Sequence, residues 1–204
     1  MPVRVHINGL TRPEDAAAAA AAGVEGFGIF FWPQSSSSVT IAQAQAIVAA
    51  LPPDALTMGL FVDAMARVVD RTLERTGIAL PVFAGSEDEE YCRPFAGRYA
   101  KVIRLRSLAS LENFSRFDCP FFVLDGEPAV QGGAREIPFD FNLARRARRL
   151  GRIVVSGGIN LDNVTEVITT CRPWAVEVSA GVESSQGIKD ARKIQRLVEI
   201  CKSL

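Results

Sequence analysis

Short apolar runs rich in Val, Ile, Leu and Phe recur along the chain, separated by longer stretches whose apolar positions return every three or four residues. Eight of the short runs read as β-strands, at 3–7, 26–31, 56–62, 80–84, 100–105, 120–125, 152–157 and 175–180. Their near-continuous hydrophobicity fits strands covered on both faces, as in a parallel sheet. The stretches between them predict helices over 12–23, 40–51, 64–77, 86–95, 139–151, 160–171 and 188–204, with 106–116 thinner, at most a turn or two. End signals agree: Glu14 and Asp15 stand in a first turn, Thr40 precedes a periodic face, and Gly23, Gly77 and Gly151 close helices. The seven consecutive alanines, 16–22, combine high helix propensity with little bulk, which suits close packing on a sheet.

Strict βα alternation leaves two α/β topologies. A closed (βα)8 barrel accounts for the even cadence and for a final helix covering the last strand. A doubly wound sheet would more often carry a glycine-rich dinucleotide loop after its first strand, and the segment NGLTRPED has none. The expectation is therefore one TIM-barrel domain over 1–204, with short loops, since the chain is shorter than the roughly 250 residues typical of the fold.

Composition narrows the function. Lys plus Arg and Asp plus Glu number 23 each, and the richest basic stretch, 145–152, reads as the wet face of one helix, so a nucleic-acid partner is not expected. No run is long and apolar enough for a membrane helix and no secretory signal is evident, so a cytoplasmic protein is expected. Cys92, Cys119, Cys171 and Cys201 lack metal-ligand spacing and read as reduced, buried thiols. With a single histidine, His6, a zinc centre built on several imidazoles is excluded, and no metal site is expected.

In this fold chemistry takes place where strands run out into the βα loops. After the seventh strand comes SGGINLDN and after the eighth SAGVESSQGIKD, each placing small residues beside a helix start. Backbone amides of Gly157, Gly158, Ala180 and Gly181 are thus candidates for holding a phosphate, although such glycines also serve simple turns. Asp125 ends the apolar strand PFFVLD, where partial burial would raise its pKa and suit general acid work; a structural carboxylate is the alternative. Asn8 ends the first strand. An amide exchanges no proton near neutral pH, so Asn8 can orient a hydroxyl or an enolate oxygen, or close a loop. His6 points the same way one layer deeper, as packing or as a relay to substrate.

With these residues in place, the chain resembles the phosphoribosylanthranilate isomerase family of tryptophan biosynthesis over essentially its whole length. The resemblance is carried by GLTRPEDAAAAAAAGVEGFGIFFWPQSS, VDA, AGSEDEEYC, VIRLRSL, FVLDG with GGAREIPFDF, and above all SGGINLDNV and VEVSAGVESSQGIKDARKI. It implies a (βα)8 barrel that binds a phosphorylated ribose-like small molecule through its last two loops. It also implies an Amadori rearrangement, an aldose–ketose isomerisation, with neither metal nor organic cofactor. The family's general acid matches Asp125, and an arginine ending the fifth strand matches Arg104, a candidate substrate contact. The family's cysteine base, in a Lys-x-Cys-Gly pattern, falls on Asn8 and its lysine on His6.

Other family positions differ as well. The arginine that pairs with the anthranilate carboxylate falls within Ser35–Ser38, leaving Ser36 and Ser38 as candidate contacts there and Arg135, in EPAVQGGARE, as a candidate replacement. The histidine of the His-Gly pair is Ala84, and the last strand has Glu177 for aspartate and Ala180 for serine. Loss of a positioned base typically costs 10²–10⁴-fold in rate, and loss of a bidentate clamp on the order of 1–3 kcal/mol of selection. Three functions fit: an isomerase of the family type with Asp125 as acid, an isomerase or lyase on a different phosphosugar, or a noncatalytic phosphosugar-binding paralogue. The chain is expected as a monomer or homodimer.

Overall fold

The computed structural model describes residues 2–105, 107–125 and 141–204. Eight parallel strands, β1 (Arg4–Ile7), β2 (Gly26–Phe30), β3 (Leu56–Phe61), β4 (Leu80–Phe83), β5 (Ala100–Arg104), β6 (Phe122–Asp125), β7 (Ile153–Val155) and β8 (Ala175–Val178), close into a barrel in sequence order. Closure is made by β1, which pairs with β2 on one side and with β8 on the other. Every predicted strand is present, each trimmed by a residue or more at its ends.

Alternation along the strands separates two cores. Met58, Leu80, Val82, Ala100, Val123, Val154 and Ala175 point inward and pack with Phe121 in the barrel lumen. Their neighbours, among them Ile7, Phe27, Ile29, Leu124, Ile153, Val155 and Val176, point outward against the helices. Burying each such side chain contributes about 1.5–3 kcal/mol. The helix α1 (Pro13–Ala21) meets this layer through Ala16 and Ala19, both fully buried, so the alanine run lets its backbone lie close to the sheet. At the lower end Trp174 stacks on Phe121 at 5.2 Å, and the Arg4 guanidinium covers the indole at 4.7 Å.

The end signals operate as read. Before α2 (Ile41–Ala49), Thr40 and Gln43 form a reciprocal capping box, and α3 (Ala66–Thr76) ends on left-handed Gly77. The 86–95 segment is shorter than expected: α4 (Glu89–Cys92) tightens into a 3-10 turn over Arg93–Phe95, where Pro94 removes a donor. The thin segment after β5 is a 3-10 helix over Leu108–Arg116. Further on lie α5 (Phe141–Ala147), α6 (Val164–Cys171) and α7 (Ala191–Ser203).

The expectation of helix from 188 onward needs correction. Ile188–Lys189 (β10) pairs antiparallel with Glu183–Ser185 (β9) through a turn at left-handed Gly187. The helix starts only at Ala191, where the Asp190 carboxylate accepts from the Arg192 and Lys193 amides at 2.9 and 3.2 Å. All four cysteines are free, and burial pushes their thiols up to about 11 for Cys92 and about 12 for Cys119, Cys171 and Cys201. Among the described residues no helix is long and apolar enough to cross a membrane.

Candidate active site

The end of β1 is built around two glycines of β2. A β-carbon on Gly26 would lie 2.5 Å from the His6 ring, and one on Gly28 would lie 1.5 Å from Asn8 Oδ1. Both side chains thus occupy lumen space that any other residue on β2 would fill. The Asn8 amide N–H donates to the Val178 carbonyl at 2.9 Å, which fixes the strand end against β8. The structure does not bring His6 to the mouth. Its ring is fully buried, edge-on to Trp174 and Phe121 at 5.6 and 6.1 Å, and neither ring nitrogen has a partner. Burial, then the Arg4 charge, holds its pKa down at about 3, so it is a neutral packing residue.

Beyond β7, Gly157 and Gly158 both take left-handed backbone, with φ of 85° and 67°. The carboxamides of Asn160 and Asn163 donate to the Gly158 carbonyl at 3.3 and 2.9 Å, and Asn163 Oδ1 accepts from the Asn160 amide at 2.9 Å. Among the described residues, the Gly157, Gly158 and Ala180 N–H groups meet no acceptor of the chain. Gly181 instead joins the two loops: it bridges to Asn160, and a β-carbon there would lie 2.1 Å from the Ile159 carbonyl.

Under the β8 loop lies a cation that strand-end reasoning passes over. Lys189 Nζ donates to Ser179 Oγ at 3.3 Å and to Glu183 at 2.8 Å, with its side chain fully enclosed. It sits on the hairpin misread as helix, which hid its position.

Asp125 ends β6, half-buried at the rim, and Arg104 is its exposed register partner on β5. Inside the lumen Glu177 is 5% exposed. Burial, then the Asp125 charge, pushes its carboxyl up to about 7, against the Ser156 side chain, which favours ionisation. Glu177 shares the inward parity of Ala175, and in sequence it differs from the family's aspartate by only a methylene.

The β2 loop places Ser36 in solvent and Ser38 in a bridge with Phe30, whereas Ser37 is buried beside Gly9. Ser37, which the loop sequence does not single out, is the serine packed against the end of β1. Between the β4 and β5 loops is a cavity of about 380 Å³ lined by Gly85, Glu87, Lys101, Arg104, Asn113 and Arg116. Glu87 anchors it, accepting from the Asp63 and Gly85 amides and from Lys101 Nζ at 2.8, 2.9 and 2.8 Å. Arg135 lies outside the described residues. Among those described, no cluster of His, Cys, Asp and Glu is placed to hold a metal.

The comparisons with known proteins agree with this layout. The family model for N-(5'-phosphoribosyl)anthranilate isomerase matches residues 5–200. The enzyme of that name from Nitrosospira multiformis is 40% identical over 200 residues, 95% of this chain and 94% of the relative. The one from Pseudomonas putida is 40% identical over 204 residues, covering 98% of each. Among solved structures, the phosphoribosyl anthranilate isomerase of Thermotoga maritima superposes with a TM-score of 0.90 at 30% identity, over 99% of this chain and all of that one. Another, in complex with reduced 1-(o-carboxyphenylamino)-1-deoxyribulose 5-phosphate, gives a TM-score of 0.86 at 30% identity. The chain belongs to the phosphoribosylanthranilate isomerase family, as a member without a cysteine at the end of its first strand.

Proposed function

We propose that this protein isomerises a phosphoribosyl amine from the aldose to the ketose form. The observation that carries the reading is the juxtaposition, on three successive strand ends, of Asp125 with the outward amides of the β7 and β8 loops. A phosphate on C5 sits on the N–H groups of Gly157, Gly158 and Ala180, with Lys189 beneath adding positive field. The sugar then lies across the lumen towards Asp125, which protonates the ring oxygen as the C1–O bond breaks. The nitrogen lone pair closes the iminium, a proton leaves C2, and the enolamine tautomerises to the ketose. Asn8 takes no proton; its carboxamide holds a sugar hydroxyl or the developing enol oxygen. Nor is the C2 base a thiol of this chain, because all four cysteines lie away from the mouth with raised pKa values.

The test is loss of phosphoribosylanthranilate fluorescence with purified protein, followed for wild type and Asp125→Asn. Turnover by wild type that falls 10²-fold or more in the variant supports the reading. One observation favours a second function, a phosphosugar-binding protein without turnover: the positions of both the base and the carboxylate clamp now hold groups that do not titrate, Asn8 and the serines of Ser35–Ser38. Calorimetric binding of a phosphorylated pentose, with fluorescence unchanged at high protein, would select that function instead.

A further inference from the structure

Val123, Val154 and Ala175 share the lumen cluster, so the residues two positions on, Asp125, Ser156 and Glu177, point inward as well. The strand registers place them in one row: Leu124 is opposite Val155, Val155 opposite Val176, and Glu177 opposite His6. Neighbouring strands are about 4.8 Å apart, so Asp125 and Glu177 start roughly 10 Å apart at the backbone with Ser156 between them, its side chain hydrogen-bonded to Glu177. Asp125 lies at the rim and Glu177 one strand further round, enclosed.

Glu177 is hemmed in by groups that offer no counter-charge. On β1 it faces His6, which is neutral, with the neutral carboxamide of Asn8 above; on β7 it faces the Ser156 hydroxyl, and on β6 the carboxyl of Asp125. Among the described residues no cation pairs with it. On the outer side of the row, Arg104 stands in register with Asp125. A second negative charge in this space is opposed both by desolvation and by the first.

We propose that Asp125 and Glu177 form one proton-sharing pair across Ser156, with Glu177 the positioning residue that keeps a proton available to Asp125 at neutral pH. The pair loses its protons in two macroscopic steps, and the ionised partner in the intermediate form is stabilised by the Ser156 hydroxyl. The proposal rests on the reading of Asp125 as general acid, but the pairing itself is tested without turnover.

Carboxyl ¹³C resonances of the full chain, labelled at Asp and Glu, are titrated in wild type, Asp125→Asn, Glu177→Gln and Ser156→Ala. Removing the like charge in D125N lowers the Glu177 midpoint, and E177Q lowers the Asp125 midpoint, each by about half a pH unit or more. Loss of the hydroxyl in S156A raises the Glu177 midpoint. Midpoints that stay within about 0.2 pH unit of wild type in D125N overturn the pairing, whether or not the protein turns over substrate. With turnover, E177Q moves the alkaline limb of the kcat/KM profile to lower pH, because Asp125 gives up its proton earlier. An unmoved limb in a folded E177Q overturns the positioning role while leaving Asp125 as the acid.

Discussion

His6 and Glu177 face each other in register on β1 and β8, and burial shifts their proton affinities in opposite directions. His6 is held down at about 3 from 6.5, so it contributes stability that is lost as pH falls below 6.5 and the unfolded chain takes up the proton. Glu177 is pushed up from 4.5 to about 7, so its contribution is complete below 4.5 and is lost as pH rises through 7. Between 4.5 and 6.5 the two slopes oppose each other, and wild-type stability changes little there on their account. Glu177→Gln unmasks the histidine: urea unfolding should show stability rising by about 1.4 kcal/mol per pH unit across that window. A flat profile in the variant would show that His6 finds a proton or a partner in the folded state.

Two glycines opposite polar residues give a packing prediction. Since a β-carbon on Gly28 would lie 1.5 Å from Asn8 Oδ1, Gly28→Ala must displace the carboxamide or push β2 outward. A cost of about 1–3 kcal/mol is expected from overpacking of this kind. Asn8→Ala in the same chain clears the space, so the double variant should recover most of that loss in a double-mutant cycle. Additive losses would mean that β2 is strained by something other than Asn8.

How far the sequence could be read depends on which regularity governs each residue. The strands were legible because a barrel strand is buried on both sides, and two helix ends because Thr40 and Gly77 are chemical punctuation, whereas α5 stops at Ala147, four residues short of Gly151. The parity rule carried Asp125 to the rim and His6 to the interior, but it could not say that the His6 ring would pack on Trp174 at the lower end. Loops obey no period. Ser37 was indistinguishable from Ser36 and Ser38, and the β9–β10 hairpin carried Lys189 under the β8 loop while its text, Ile188-Lys189-Asp190, scanned as a helix start. Glu87 was hidden in an acidic run that reads as solvated, because its partner Lys101 is supplied by the next strand.

That pairing yields a third prediction. Glu87 and Lys101 meet at 2.8 Å with side chains only 1% and 5% exposed, and Glu87 also gathers two backbone amides from the β3 and β4 loops. Removing one partner leaves the other buried and uncompensated, which typically costs 3–5 kcal/mol. Lys101→Met should therefore destabilise strongly in urea, and Glu87→Gln less, because the single Gln oxygen still accepts from one of the two amides and Lys101 Nζ keeps the Phe83 and Gly85 carbonyls. Equal losses would indicate that the charge rather than the backbone bonds sets the cost.

The last prediction asks whether the missing thiol is the whole difference from the rest of the family. Asn8 is buried at the end of β1, its backbone held to Val178, and cysteine is smaller than asparagine, so Asn8→Cys fits without moving the strand. A thiol there has what the native cysteines lack: it stands at the lumen mouth, opposite the row that contains Asp125, instead of inside a helix or, as for Cys119, ahead of β6. On the proposed phosphate site and acid, a positioned base adds typically 10²–10⁴-fold, so N8C should raise the fluorescence-monitored isomerisation of phosphoribosylanthranilate by that order. Acceleration confined to saturating substrate would show that the base is restored while binding of the aromatic acid stays weak, as expected with serines at 35–38 where the family's arginine clamp would stand. No acceleration in a folded N8C protein that still binds phosphorylated pentose would mean that the chain has been rebuilt for a sugar phosphate other than phosphoribosylanthranilate.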